Sequence, residues 1–186
     1  MLKTILLLTL FSSVFFLSCS PDMTTVQVIR NPIIKFNYNG TTAWQDNTYS
    51  FAPVTQTVVY PSDPTQPGQL YYRYILRATG QDDAGNKLEL DITFDVVDAN
   101  ELVGVYTPAY TTQRGLAQVQ LFNLTDNSLA AYSLCPDALA TAQLQIQKQK
   151  EDERLITGTF EMTLCNTRDA AQKINITSGV ITDITY

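Results

Sequence analysis

The chain of 186 residues reads as an all-β protein, and three features predict it. Apolar residues recur at every second position and almost nowhere at helical spacing. Clusters of Asn, Asp, Gly and Pro interrupt these runs at hairpin intervals. The 10 tyrosines and 8 phenylalanines, set among Val, Ile and Thr, suit a pleated, half-buried surface.

Taken in order, residues 33–38 alternate loosely and Asn39-Gly40 gives a strong hairpin signal before a strand over 41–45. Residues 49–60 are rich in Val, Thr and aromatics. Three prolines and Gly68 make 61–68 a surface loop, because proline donates nothing to a ladder and glycine permits positive φ. Residues 70–78 form a strand, 81–86 a tight turn, and 88–96 the cleanest strand of all. There Leu88, Leu90, Ile92, Phe94 and Val96 point one way, while Glu89, Asp91, Thr93 and Asp95 point the other. One face is expected to be core and the other wet. If these two strands pair, Arg73 and Arg77 lie across from the carboxylates.

Gly104-Val105-Tyr106 opens the next unit, and strands over 116–124 and 128–134 flank the turn 125–127. The best helical candidate, 136–142, is worth at most a turn or two. Residues 141–148 alternate, Lys150-Glu151-Asp152-Glu153 is a charged hairpin tip, and 155–165 returns. The chain ends with 174–177, a break at Ser178-Gly179, and 180–186. About ten short strands with such turns make an antiparallel meander. The one-sided alternation favours a β-sandwich; a closed or partly open meander barrel is the alternative.

The first nineteen residues carry a different message. Lys3 supplies a positive start, residues 5–17 are an apolar and hydroxylic run too short to span a bilayer comfortably, and Phe16-Leu17-Ser18-Cys19 closes it. The ending resembles the processing site of bacterial lipoproteins, in the looser form used by the Bacteroidota. That resemblance implies a signal peptide over 1–18, an acylated Cys19, a polar tether to residue 29 and a single β domain over 30–186. Ser20 in place of Asp implies the outer membrane by analogy with enterobacterial sorting. The membrane is then a partner through lipid.

Composition narrows the chemistry. The net charge of −6 argues against nucleic acid as a partner. With 0 histidines, Ser-His-Asp triads, Cys-His pairs and His-ligated zinc are excluded. No cofactor and no metal site is expected. Besides Cys19, the pair Cys135 and Cys165 suits a disulfide in an oxidising compartment; two separate buried thiols are the alternative.

Candidate sites are few. Asp82-Asp83-Ala84-Gly85-Asn86 lacks the spacing of a calcium loop and reads as a turn. Glu89, Asp91 and Asp95 share a strand face, but acids on the exposed side of an amphipathic strand are ordinarily just solvated, so no catalytic role is assigned. Glu151 to Glu153 is a hairpin tip. Tyr71, Tyr72, Tyr74, Tyr106 and Tyr110 are the candidate binding surface, since exposed rings stack on sugars or on partner proteins.

The run Gly158-Thr159-Phe160, the ending Ile174-Asn175-Ile176-Thr177-Ser178-Gly179-Val180-Ile181-Thr182-Asp183-Ile184-Thr185-Tyr186, the Asn39-Gly40 hairpin followed by Trp44, and Gly104-Val105-Tyr106 together resemble a family of small Bacteroidota lipoproteins of unknown function. The resemblance implies an all-β lipoprotein without an assigned activity. Gly179 reads physically as a bulge or bend, and Trp44 and Tyr186 as core or core-rim aromatics. The expected function is a non-enzymatic, lipid-anchored structural or interaction module with an envelope protein or glycan as partner. A lipocalin-like small-ligand binder and a carbohydrate-binding surface protein are the alternatives.

Overall fold

Strand β1 (Ile33–Tyr38) turns through Asn39 and Gly40, both left-handed at φ 50° and 89°, into the long β2 (Thr42–Val59). The computed structural model describes residues 31–40, 42–59, 67–125, 131–150, 152 and 154–186. The leader, Cys19 and its tether, residues 60–66 of the proline loop, residues 126–130, Glu151 and Glu153 lie outside the described residues. Strands β3 (Gln69–Asp82), β4 (Lys87–Val96), β5 (Gly104–Tyr106), β6 (Arg114–Asn123) and β7 (Ala131–Leu134) follow. A 3₁₀ segment (Pro136–Thr141) stands where a short helix was expected, and β8 (Gln143–Lys150), β9 (Leu155–Asn166) and β10 (Lys173–Thr185) complete the order.

The all-β expectation holds, and of its two architectures the barrel is the one realised. All pairings are antiparallel. The ring runs β9-β10-β1-β2-β3-β4-β6-β7 and returns to β9, so eight strands close on themselves. Strand β10 makes the closure by pairing β1 through Ile181↔Ile34 and β9 through Ile181↔Gly158. Strand β7 fills only part of the gap between β6 and β9. Along the same edge of β9, β8 takes over and carries β5, and Leu116 N–H donates to the Thr107 carbonyl at 2.8 Å to stitch β6 back. A small barrel and a sandwich present the same one-sided alternation, because each strand shows one face to a filled interior.

Bulges hold that inward face true. Trp44 points inward, yet so do Tyr49 and Phe51, which lie at the opposite parity; the register shift between Asp46 and Thr48 reconciles them. Two shifts in β10, at left-handed Ser178 and Asp183, likewise keep Ile176, Ile181 and Ile184 all buried. Gly179 belongs to the first. A Cβ there would meet the Phe160 carbonyl oxygen at 2.5 Å and its ring at 2.6 Å, so the glycine lets that ring occupy the interior.

Rings fill the barrel. Phe36 stacks on Trp44 at 4.7 Å and meets Phe160 at 6.0 Å, while Phe94 contacts Tyr106 at 4.7 Å, Tyr74 at 5.5 Å and Phe51 at 5.8 Å. Leu76, Leu90, Ile92, Leu116, Leu144 and Ile181 pack between them. Tyr186 lies against this core, as expected. The outer wall is polar, with Lys35, Gln45, Gln81, Gln143, Gln145 and Glu161 all exposed. Cys135 and Cys165 form a disulfide that ties the end of β7 to β9.

Candidate functional site

The hairpin β3–β4 brings the arginines and acids together in the expected register, Arg73↔Asp95 and Arg77↔Asp91. The wet face, however, is partly covered. Asp95 is 0% and Asp91 8% exposed. Asp95 accepts two hydrogen bonds from Arg73, at 2.9 and 2.8 Å, and a third from the Tyr110 hydroxyl at 2.5 Å. Asp91 accepts two from Arg77, at 2.8 and 2.6 Å, with Glu89 at 3.7 Å from the same guanidinium. Hydrogen bonds from Arg73 to Asp95 and from Arg77 to Asp91 push both guanidinium pKa values up, so neither arginine loses its charge.

The burial of Asp95 comes from the segment between β5 and β6. It folds back over the sheet so that Tyr110 lies on Gly115, where a Cβ would meet the ring at 2.4 Å. Tyr71 meets Tyr110 edge-on at 5.6 Å and donates to the Thr111 carbonyl at 2.8 Å. These carboxylates are thus occupied as structural ties. Replacing Asp95 by Asn should cost about 2 kcal/mol in urea unfolding, below the 3–5 of a fully buried pair because Arg73 keeps about a third of its side chain exposed.

The five tyrosines therefore do not form one surface, a correction to the sequence reading. Tyr74 and Tyr106 are inside the barrel, and Tyr71 is buried under the returning segment with Tyr110. Only Tyr72 stays substantially exposed, at 37%. Strand parity separates Tyr71 from Tyr72 and Tyr74, and the fold-back covers Tyr71.

Burial above all pushes the Tyr38, Tyr71, Tyr74, Tyr106 and Tyr110 hydroxyls above the usual tyrosine range. Their folded values lie above the unfolded value of about 10. Their stabilising contribution is thus complete below that pH and is lost as pH rises toward the folded values. Tyrosinate absorbance should show these five titrating only as the protein unfolds, with the melting temperature falling above pH ~10; five early titrations would contradict the burial.

At the end bearing the β1–β2, β3–β4 and β9–β10 turns, Asp82 organises the rim. It accepts from the Tyr38 hydroxyl, from the Ala84 and Asn86 backbone at 2.9 and 2.8 Å, and from Asn86 Nδ2 at 2.8 Å. Burial alone would raise its pKa, but these donors hold it below the usual carboxylate range. The expected turn is therefore a self-satisfied Asx loop. Beside it, Tyr38, Asn86, Tyr132 and Lys173 rim a recess of about 210 Å³.

A second recess, of about 510 Å³, lies on the outer wall across β10, β1, β2 and β3. Register sets Lys35 opposite Gln45 and Gln45 opposite Gln81, with Asn37, Asp83 and Ser178 around them. The bulge of β10 at Ser178, which also shifts the register against β1 between Lys35 and Asn37, bends the wall here. The site offers one ammonium, a row of amides and a carboxylate, donors and acceptors suited to hydroxyls or peptide groups. The sequence reading singled out none of these residues, because their assembly depends on the Asn39-Gly40 hairpin together with two long-range pairings, β2 with β3 and β1 with β10. Compared with known proteins, the chain matches no family model, no curated protein and no solved structure.

Proposed function

We propose that this protein is a lipid-anchored, non-enzymatic β-barrel module of the cell envelope that works by contact through its outer wall. The observation that carries this reading is the interior: interlocked rings occupy the space that a small-ligand carrier would keep open. The recess at the mouth, about 210 Å³, is smaller than the ~300–1,000 Å³ of ordinary ligand pockets. A polar wall over an apolar interior is the reverse of a bilayer-spanning barrel, which supports a domain anchored to the membrane rather than threaded through it. The apolar leader ending at Cys19 supplies the anchor in this reading, and the Cys135–Cys165 disulfide fits an oxidising compartment.

The amide row at Gln45 and Gln81, flanked by Asn37 and Lys35, favours a hydroxyl-rich glycan or a peptide backbone as the contact. Mass spectrometry of the native N-terminus should find an acylated Cys19; an unmodified Met1 would remove the anchor. Capture from intact cells with a tagged full chain should recover one stoichiometric protein or a defined glycan, with Lys35→Glu/Gln45→Glu reducing recovery at least about tenfold, the equivalent of 1.4 kcal/mol. Undiminished recovery by that variant would exclude the recess as the contact.

A further inference from the structure

The core stripe of β3 does not stop where the barrel does. Tyr74, Leu76 and Ala78 are buried on its inner face, and the same face continues outward through Tyr72 and Leu70. The last residue of β4 to pair with β3 is Val96, opposite Tyr72, so β3 outruns the neighbour that would cover it. Strand β2 runs alongside and sets Val58 directly across from Leu70. Val58, Leu70 and Tyr72 are 46%, 45% and 37% exposed. Scattered surface apolar residues need no explanation. Two facing aliphatic residues and a tyrosine that extend a core stripe into solvent do, because a projecting hairpin ordinarily turns polar on both faces.

The position of this arm indicates its occupant. In the antiparallel order β1 starts from the side away from the Asp82 rim, the direction in which the β2–β3 arm projects, and Ile34 N–H donates to Asp46 of β2 at 2.7 Å, so the chain enters beside that strand, twelve residues before Val58. Eleven residues, 20–30, separate Cys19 from the first described residue, a span of at most about 40 Å when fully extended. The Asp82 rim and its turns lie at the opposite end. Net charge is −6, so contact with a membrane would rest on apolar insertion rather than on attraction to anionic headgroups.

From this geometry we infer that the arm face formed by Val58, Leu70 and Tyr72 seats in the interface of the bilayer to which the chain is anchored, standing the barrel with its Asp82 rim away from the membrane. The inference rests on the lipid-anchor reading. Tyrosine suits such a depth, with its ring in the apolar boundary and its hydroxyl at the headgroups. Two aliphatic residues and one ring bind too weakly to hold a protein at a membrane by themselves; with the anchor already holding it there, they need only choose its orientation.

The test uses the full chain with its native N-terminus, reconstituted on phosphatidylcholine vesicles, with an environment-sensitive fluorophore at Leu70→Cys, at Tyr72→Cys, or at Ala84→Cys on the opposite end. The arm labels should shift to the blue on vesicles, be quenched by lipids carrying nitroxide on their acyl chains, and keep both responses in high salt, while the Ala84 label stays water-like. Vesicle flotation separates the two claims. A chain that floats while its arm labels remain in water overturns the docking alone. A chain that fails to float overturns the anchor and the docking together. A blue shift already present without vesicles, or lost in high salt, also overturns the inference, the first by assigning the face to another copy of the chain.

Discussion

Replacing Phe94 by Ala should destabilise the barrel by about 3–5 kcal/mol, the range for deleting a buried aromatic ring. Phe94 is fully buried and touches rings from three other strands: Phe51 of β2, Tyr74 of β3 and Tyr106 of β5. Those neighbours cannot collapse into the space together, because each is held by its own ladder and Tyr106 also donates to the Leu102 carbonyl at 2.6 Å. The cavity therefore persists, and its lining loses contacts outright. Urea unfolding of the variant beside Thr93→Ala, one residue away on the outer face, checks this. The outer change should stay within about 0.5 kcal/mol. A Phe94→Ala cost near 1 kcal/mol would mean that the rings are not close-packed, and an open lumen able to admit a ligand would become the better reading.

How far the fold could be read in the sequence follows from the range of each interaction. Strand positions were legible because they depend on neighbours: Leu88 to Val96 alternates along nine residues, and Asn39-Gly40 marks its hairpin in two. The cross-strand match of Arg73 with Asp95 was legible because one tight turn sets that register. Closure was not. Sandwich and barrel share the same inward pattern, and what separates them is the pairing of β10 with β1, which joins residues about 150 positions apart. Bulges were half-legible. Ser178-Gly179 announced itself as a break, whereas the shift at Asp46–Thr48 has its glycine, Gly80, across the ladder on β3 rather than in its own strand. Asp95, Tyr71 and Tyr110 were misplaced because a fold-back segment covers an outer face whose strand pattern alone looks wet, whereas Tyr74 and Tyr106 were misplaced because they face the barrel interior.

The candidate site divides along the same line. Lys35 and Gln45 fall on segments the sequence marks as strands and Gln81 opens what it marks as a tight turn, but their adjacency needs β1, β2 and β3 in register, and the recess needs the β10 bulge at Ser178 as well. The apolar arm was hidden differently. Val58 and Leu70 look like ordinary strand residues, and Tyr72 is grouped with rings that point elsewhere, until it is known that β4 ends opposite Tyr72.

Loss of the Cys135–Cys165 disulfide should cost about 3–4 kcal/mol, the chain-entropy value for the 30-residue separation that it spans. For a domain of this size that is a fall of roughly 10 °C in melting temperature. The effect should be concentrated at one place. Among the described residues, strand β7 is held by three residue pairs to β6 and three to β9, against ten between β3 and β4, which makes it the most weakly paired member of the ring as described. The disulfide enters where β7 ends, and Cys135 N–H adds a bond to the Thr163 carbonyl at 3.1 Å. The nearby Lys173–Asp137 pair is exposed and cannot replace it. Hydrogen exchange on Cys135→Ser/Cys165→Ser should show the β7 amides losing protection first, while those of β3 and β4 fall only with global stability. Since β5 and β8 bridge the same gap farther along β9, the ring should stay closed there even as β7 frays. Uniform loss of protection in all strands would instead mean that the barrel opens as a single unit and that the second bridge contributes nothing to local closure.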